Sequence, residues 1–267
     1  MSNALGKLTV GSLFAGIGGI ELGLEWTGGF ETVWQVEIDD YARRVLEKHW
    51  PNVRRWDDVR TFPPEPVDEW RCDLVCGGFP CQDISDAGKG AGIDGSRSGL
   101  WSEFARVVRT LRPRYVLVEN VAALLRRGVG RVLGDLAQSG YDAEWSVLPA
   151  ASYGAYHRRE RLLLLAYPYQ ERWILTYDKA NGNEVADWKA DNFWQSKRQT
   201  GNGKVGRLRM DLVERCAQLG ICPVVYGVPS RLDEQRIECL GNAVVPQVAQ
   251  WIGQRILEAE KASRAAT

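Results

Sequence analysis

The residues in this chain with the chemistry to form or break bonds are few, and they stand in a telling order. Cys81 follows Cys76-Gly-Gly-Phe-Pro80, at the point where an apolar run (DLVCGGF) must leave a sheet. Pro80 fixes the backbone just before that thiol. Glu119 sits near the end of a second apolar run, RYVLVENV, and Arg159 and Arg161 stand two apart in HRRER. Two residues spaced this way on an extended segment face the same side. A thiolate, a carboxyl group able to donate a proton, and guanidinium donors together suit attack on a pyrimidine ring. Cytosine C5 is a poor nucleophile, but adding a thiolate at C6 turns C4–C5 into an enamine that can take a methyl group. A protonated carboxyl at ring N3 eases that addition, and burial at an apolar strand end raises a carboxyl pKa in the required direction. An arginine nearby could hold ring O2 and stabilise the thiolate. Each residue alone has a plainer reading. Cys81 fits an inert buried cysteine, Glu119 a helix cap or salt bridge, and Arg159 and Arg161 a surface ion pair. Their joint order is harder to set aside.

A second constellation lies at the start of the chain. Phe14-Ala-Gly16-Ile-Gly18-Gly19 follows the strand-like LTVGSL, and Glu37 closes the next apolar run. Glycines let a backbone approach a ligand, and an acid about 20 residues on can take ribose hydroxyls. The dinucleotide fingerprint wants a glycine at its sixth position, where this chain has Glu21. An acid there suits a ligand bearing positive charge, such as S-adenosylmethionine, better than a pyrophosphate. A glycine turn that merely packs a helix remains the alternative.

These residues need elements to position them. The spacing predicts strands over LTVGSLFAG, ETVWQVEID, RCDLVCGGF, RYVLVENV, DAEWSVLPA and RRERLLLLAYP, with a weaker one near Val53–Asp57. Helices are predicted over GGIELGLEWTG, with apolar positions at Ile20, Leu22, Leu24 and Trp26, and over YARRVLEKHW, capped by Asp39. GLWSEFARVVRTL, VGRVLGDLAQSG and a long final segment from Pro246 complete the set. Strands alternating with helices predict an α/β fold: a mostly parallel sheet with helices on both faces, Rossmann-like in architecture. In such a sheet ligands bind beyond the carboxyl ends of the strands, so Cys81 and Glu119 are expected at one mouth. The expected catalytic domain comprises residues 1–168 and 228–267. Residues 169–227 break the pattern; they are polar and rich in Gly, Asn and Trp, and read as a small inserted module.

Composition narrows the class. The 267 residues are 45% hydrophobic and 25% charged, enough for one large domain with an insertion. No signal-peptide pattern or membrane-length apolar run is visible, so a soluble, cytoplasmic location is expected. The six cysteines read as reduced thiols. Neither their spacing nor the two distant histidines, His49 and His157, forms a zinc pattern, so no metal is expected. The formal net charge is zero, yet it is unevenly spread. Thirteen acidic and seven basic residues lie between Glu21 and Asp73, against four acidic and nine basic between Ser85 and Arg131. The basic segment allows an anionic partner despite the balanced total.

The stretches FAGIGG, EID, DDV, GGFPCQ, GLWSEF, ENV, HRRER and GNAVVP, in this order, resemble the DNA (cytosine-5)-methyltransferases of prokaryotes and phages. The resemblance spans residues 10–168 and 231–257. It implies that Cys81 attacks C6 of a cytosine, that Glu119 contacts N3 and the exocyclic amine, and that Asn120 and Val121 order the site. Arg161 would contact the flipped base, with Arg159 supporting it. For S-adenosylmethionine it implies Phe14, Gly16 and Gly18 around the methionine part, Glu37 on the ribose and Ile38 against adenine. Asp58 and Val59 would lie at the adenine edge, with Leu100, Asn242 and Val244 closing the pocket. Pro80 would shape the loop bordering the cofactor. Gln82 to Arg97, including Ser85, would form a loop that closes over DNA. The chain has His157 where the family usually has glutamine. The inserted module is short for a target-recognition region, though it interleaves arginines and lysines with Trp173, Trp188 and Trp194. The implied partners are double-stranded DNA and a cognate restriction endonuclease, with no metal and no membrane, and the chain acting as a monomer. A cytosine inside a duplex is out of a thiol's reach and must be rotated out of the stack. A tRNA cytosine methyltransferase is the nearest rival, but the Cys-Phe-Thr motif of that subgroup is missing at Cys216 and Cys222. A nicotinamide oxidoreductase would leave Cys81, Glu119 and the arginines unexplained. A catalytically dead DNA-binding relative would have no reason to keep them all.

Overall fold

The computed structural model describes residues 6–80, 99–153, 159–169, 239 and 243–265. All of these but Cys239 belong to one compact unit formed by Met1–Val185 and Ala243–Thr267. The chain order is β1 (Leu8–Leu13), α1 (Gly19–Glu25), β2 (Phe30–Val36), α2 (Asp40–His49), β3 (Arg54–Trp56) and β4 (Leu74–Gly77). It continues with α3 (Leu100–Leu111), β5 (Tyr115–Val121), α4 (Leu124–Arg127), α5 (Val129–Gln138), β6 (Tyr141–Pro149), β7 (Glu160–Pro168) and α6 (Pro246–Ala265).

The strands form one seven-stranded sheet in the order β3-β2-β1-β4-β5-β7-β6. The first five run parallel, and β7 pairs antiparallel with both β5 and β6. Apolar runs such as Val116-Leu-Val118 in β5 and Leu162–Ala166 in β7 are buried throughout. A strand covered on both faces must be apolar at every position, which is why these segments do not alternate. One core joins the sheet to the helices; it includes Leu13, Trp34, Val36, Phe62, Val75, Phe104, Val116 and Leu164.

Helix α2 begins as its sequence predicts, because the Asp39 carboxylate accepts a 2.8 Å hydrogen bond from the Ala42 amide. Helix α1 is shorter than its apolar spacing suggests. Ile20 and Leu24, four apart, are buried, whereas Leu22 and Trp26 are turned to the surface. At about 100° per residue, positions 22 and 26 lie on the face opposite the one that Ile20 and Leu24 bury. Glu21 shares the buried side instead. Helix α6 lies directly on α1. A β-carbon at Gly23 would sit 2.0 Å from the Pro246 carbonyl oxygen, and one at Gly19 would sit 2.5 Å from the Val244 carbonyl oxygen. Two glycines four apart therefore let the last helix, and the turn before it, come against the start of α1.

Candidate active site

The parallel strands bring their carboxyl ends to one edge of the sheet. Because β7 is antiparallel, its first residues arrive at that same edge: Val121, last in β5, is paired with Arg161. Glu119 is paired with Leu163, so Arg161 is its diagonal neighbour on the same face, within reach of a long side chain. The Arg161 Nε lies 2.8 Å from Glu119 Oε1. Arg159, two residues earlier, adds its charge to the same carboxyl. Burial is the largest influence on Glu119 and pushes its pKa up; Arg161 and then Arg159 partly oppose it. The group is therefore a carboxyl that holds its proton more readily than an ordinary glutamate.

The chain leaves β4 beside this carboxyl. A β-carbon at Gly78 would lie 2.6 Å from Glu119 Oε2, so only glycine gives the carboxyl its present place. Asn120 points to the other face, where its Nδ2 donates a 3.0 Å hydrogen bond to the Phe79 carbonyl. Its Oδ1 accepts one of 2.9 Å from the Val121 amide. One residue thus ties the end of β5 to the Gly78-Phe79-Pro80 exit, with Phe79 buried against Trp101 and Pro80 half-buried. Cys81 comes next in sequence. It lies outside the described residues, as do Gln82, Ser85, Arg97, His157, Asn242 and, apart from Tyr169, the module expected at 169–227.

The glycine turn stands at the neighbouring strand ends. Phe14, Gly16 and Gly18 all have positive φ, of 54°, 56° and 84°. For the two glycines this is free, while Phe14 carries a local cost of about 1–2 kcal/mol. The Phe14 ring stacks on Phe104 at a centroid distance of 6.5 Å. Glu37 fixes the turn: its Oε2 accepts a 2.7 Å bond from the Gly16 amide and its Oε1 one of 2.9 Å from the Asp39 amide. A carboxylate has about four acceptor sites, so Glu37 keeps capacity for the hydroxyls of a ligand. Nothing lies within 4 Å of where a Gly16 β-carbon would be, and the apolar Ile38 is 64% exposed beside Glu37. An open space flanked by a held carboxylate, an aromatic ring and an exposed isoleucine suits a nucleoside with a charged aliphatic arm. These residues fit S-adenosylmethionine.

The other expected contacts are placed as follows. Asp58 caps the turn Val59–Thr61 through the Arg60 amide and pairs with the Arg60 guanidinium, whose hydrogen bonds hold its carboxyl below the usual range. The Val59 side chain is in the core, and Leu100 is half-buried at the first turn of α3. Val244 lies against Gly19 and also lines a small cavity with Arg159, Arg161, Leu148 and Leu163. Two further residues bear on the turn without having been singled out in the sequence as doing so. Trp50 covers Gly18, whose β-carbon would be 2.4 Å from the indole, and donates to Glu25 at 3.0 Å. Gln35, two residues before Glu37, donates to Glu21. In the sequence Trp50 reads only as the end of α2 before Pro51.

Glu21 does not face the ligand space at all. It is 1% exposed, between α1 and the sheet, and burial pushes its pKa up to about 7. A buried acid that holds its proton exerts little pull on a cationic ligand, so Glu21 does not select for positive charge as its place in the turn suggests.

Comparison with known proteins follows the same lines. The family profile described as C-5 cytosine-specific DNA methylase matches residues 8–214. A Type II methyltransferase of Bacillus subtilis, M2.BsuMI, is 39% identical over 190 residues, covering 68% of this chain and 48% of the relative. M.NgoFVII of Neisseria gonorrhoeae is 29% identical over 191 residues, covering 70% and 51%. The chain thus spans about half the length of the curated relatives it matches. Among solved structures, a DNA modification methyltransferase encoded within an Escherichia coli prophage aligns with a TM-score of 0.54 and 28% identity, over 64% of this chain and 49% of that one. The S. pombe Dnmt2 methyltransferase, at 19% identity, has the same fold with a TM-score of 0.53, over 73% and 56%.

Proposed function

From the premise that the chain belongs to the C-5 cytosine-specific DNA methylases, we propose that it methylates C5 of a cytosine turned out of double-stranded DNA, with Cys81 as nucleophile. The observation that carries this reading is the buried Glu119, held by Arg161 at 2.8 Å and pressed against Gly78, three residues before Cys81. Adjacent α-carbons are about 3.8 Å apart, so the chain has little length in which to carry that sulfur away from the carboxyl. The Cys81 thiolate forms a bond to C6, and the ring electrons move towards N3. Glu119, kept protonated by burial, donates to N3 and takes up that charge. Arg161 and Arg159 orient Glu119 and supply donors to ring O2. S-adenosylmethionine, when bound, supplies the electrophilic methyl group that C5 takes. Water then takes the proton from C5 as the sulfur–C6 bond breaks, and N3 returns its proton to Glu119, so that the ring, the acid and the thiolate are restored.

Phe14, Gly16, Gly18, Glu37 and Ile38 hold the cofactor on the glycine turn, with Asp58, Val59, Pro80, Leu100, Asn242 and Val244 around it. Gln82, Ser85 and Arg97 belong to the loop that meets DNA, and residues 169–227 choose the target. The relatives above are Type II methyltransferases, and modification of this kind protects DNA from a cognate restriction endonuclease. The test uses a duplex containing 5-fluorocytosine, in which the C5 substituent cannot leave as a proton. Wild-type protein with S-adenosylmethionine becomes covalently attached to that duplex, and Cys81→Ser does not. Equal attachment by both proteins removes Cys81 from the role. Methyl incorporation into tRNA but not into duplex DNA would overturn the choice of substrate.

A further inference from the structure

Beneath the glycine turn lies a row of polar groups that the proposed chemistry does not use. Gln35 in β2, Ser12 in β1 and Cys76 in β4 are consecutive neighbours across the sheet. All three are buried, with Ser12 at 1% and Gln35 and Cys76 at 0% exposure. Glu21, on the buried face of α1, closes over this row, and Gln35 Nε2 donates to its Oε1 at 3.3 Å. Ser12 interacts with Glu21 and Cys76, while Gln35 Oε1 is buried without a hydrogen-bond partner among the described residues. The Ser12 hydroxyl can donate to Gln35 Oε1, and a proton on Glu21, beside the weaker Cys76 thiol, gives Ser12 Oγ a donor in turn. Gln35 on β2 and Glu37 just past its end lie two apart, as do Ser12 on β1 and Phe14 just past its end. The Glu21–Gln35 contact and the Glu37–Gly16 contact are therefore successive ties between the turn-and-helix unit and the same strand.

We propose that Glu21 is a positioning residue for cofactor binding: its proton-bearing carboxyl bridges α1 to Ser12 and Gln35 and so holds the Phe14–Gly18 turn in its binding shape. This rests on the assignment of that turn to S-adenosylmethionine. Among the described residues, the groups facing Glu21 give it no positive partner. Glu25 on its own helix is acidic, and Cys76 on β4 has a thiol pushed further up by burial and by Glu21 itself. Ser12 on β1 and Gln35 on β2 are neutral. Helix α6 and the turn before it meet α1 through Val244, Pro246, Ala249 and Gln250, all uncharged. Its Glu260 is turned instead to Tyr115 and Arg114. A carboxylate in such surroundings is strongly disfavoured, in keeping with a pKa of about 7. A carboxyl raised on folding contributes stability that is complete below its unfolded pKa and lost as pH rises through the folded value. On deprotonation Ser12 and Gln35 still favour the carboxylate, but the cost of burying its charge outweighs them, and the tie between the turn and the sheet weakens.

The experiment titrates S-adenosylmethionine by calorimetry into wild-type, Glu21→Gln and Glu21→Ala protein between pH 6.5 and 8.5, and follows ligand-free thermal melting over the same range. Wild-type affinity is expected to weaken by up to about tenfold per pH unit above 7.5, the limiting slope for one required proton. Glu21→Gln, neutral and of the same shape, binds with that slope reduced, and Glu21→Ala binds weakly throughout. The cofactor's own amino group titrates in this range, and the difference between wild type and Glu21→Gln cancels it. In melting, wild type loses ground to Glu21→Gln as pH rises. Equal pH slopes for wild type and Glu21→Gln in both measurements overturn the proposal. If melting separates them but wild type binds no cofactor at any pH, the assignment of the turn to this cofactor has failed, and the positioning role falls with it.

Discussion

Replacing Gly78 with alanine perturbs the candidate site with one methyl group. Gly78 does not occupy the left-handed region, so alanine suits its backbone, and the consequence comes from contact alone. The new β-carbon would stand 2.6 Å from Glu119 Oε2, whereas ordinary contact begins near 3.4 Å, so the carboxyl must shift by 3.4 − 2.6, about 0.8 Å. It cannot simply rotate away, because Arg161 holds Oε1 at 2.8 Å and the Glu119 carbonyl oxygen is itself 3.4 Å from the same β-carbon. A misplacement near 1 Å in a reacting constellation costs up to about 100-fold in rate. We therefore expect single-turnover methyl transfer to duplex DNA to fall by roughly 10- to 100-fold, about 1.4–2.7 kcal/mol in the barrier. Cofactor affinity should change little, since the glycine turn lies on other strand ends. Melting should change little as well, because the displaced atom ends a side chain rather than belonging to backbone. A Gly78→Ala protein with the wild-type single-turnover rate would show that the position of Glu119 does not matter to the reaction. A rate loss matched by a comparable loss of folding stability would show that the substitution acts through the fold.

Two further outcomes follow from neighbouring contacts. Arg161→Met removes the nearer of two charges that draw the Glu119 pKa down, leaving burial to raise it further. Since the reaction needs the protonated acid, the alkaline limb of the pH–rate profile should move to higher pH while the maximal rate falls; a limb that stays in place would detach Glu119 from the profile. Gly23→Ala places a β-carbon 2.0 Å from the Pro246 carbonyl and 2.7 Å from the Ala249 β-carbon, atoms of a packed helix that cannot swing aside. The overpacking should cost about 1–3 kcal/mol and lower Tm by roughly 3–10 °C, and an unchanged melting curve would mean that α6 does not lie on α1 in solution.

Much of this protein was legible in its sequence because short-range rules suffice for it. Asp39 capped α2, Pro246 opened α6, and the uninterrupted apolar runs of β5 and β7 announced strands covered on both sides. FAGIGG with Glu37 and the ENV and RER stretches pointed to side chains that the fold does bring into contact, Glu37 with the Gly16 amide and Glu119 with Arg161. The direction of β7 was not legible: a run of four leucines reads the same forwards and backwards, and only pairing with β5 decided that its arginines reach the mouth rather than the far edge. The orientation of Glu21 was not legible either. A carboxylate in a glycine-rich turn suggests a charge presented to a ligand, yet the helical rotation of α1 carries it under the turn to Ser12 and Gln35. Sequence fixes which groups a chain owns and what each prefers locally. Whether a carboxyl is a charge or a proton donor depends on what surrounds it in space, through desolvation and distant partners, and the tertiary fold alone supplies those.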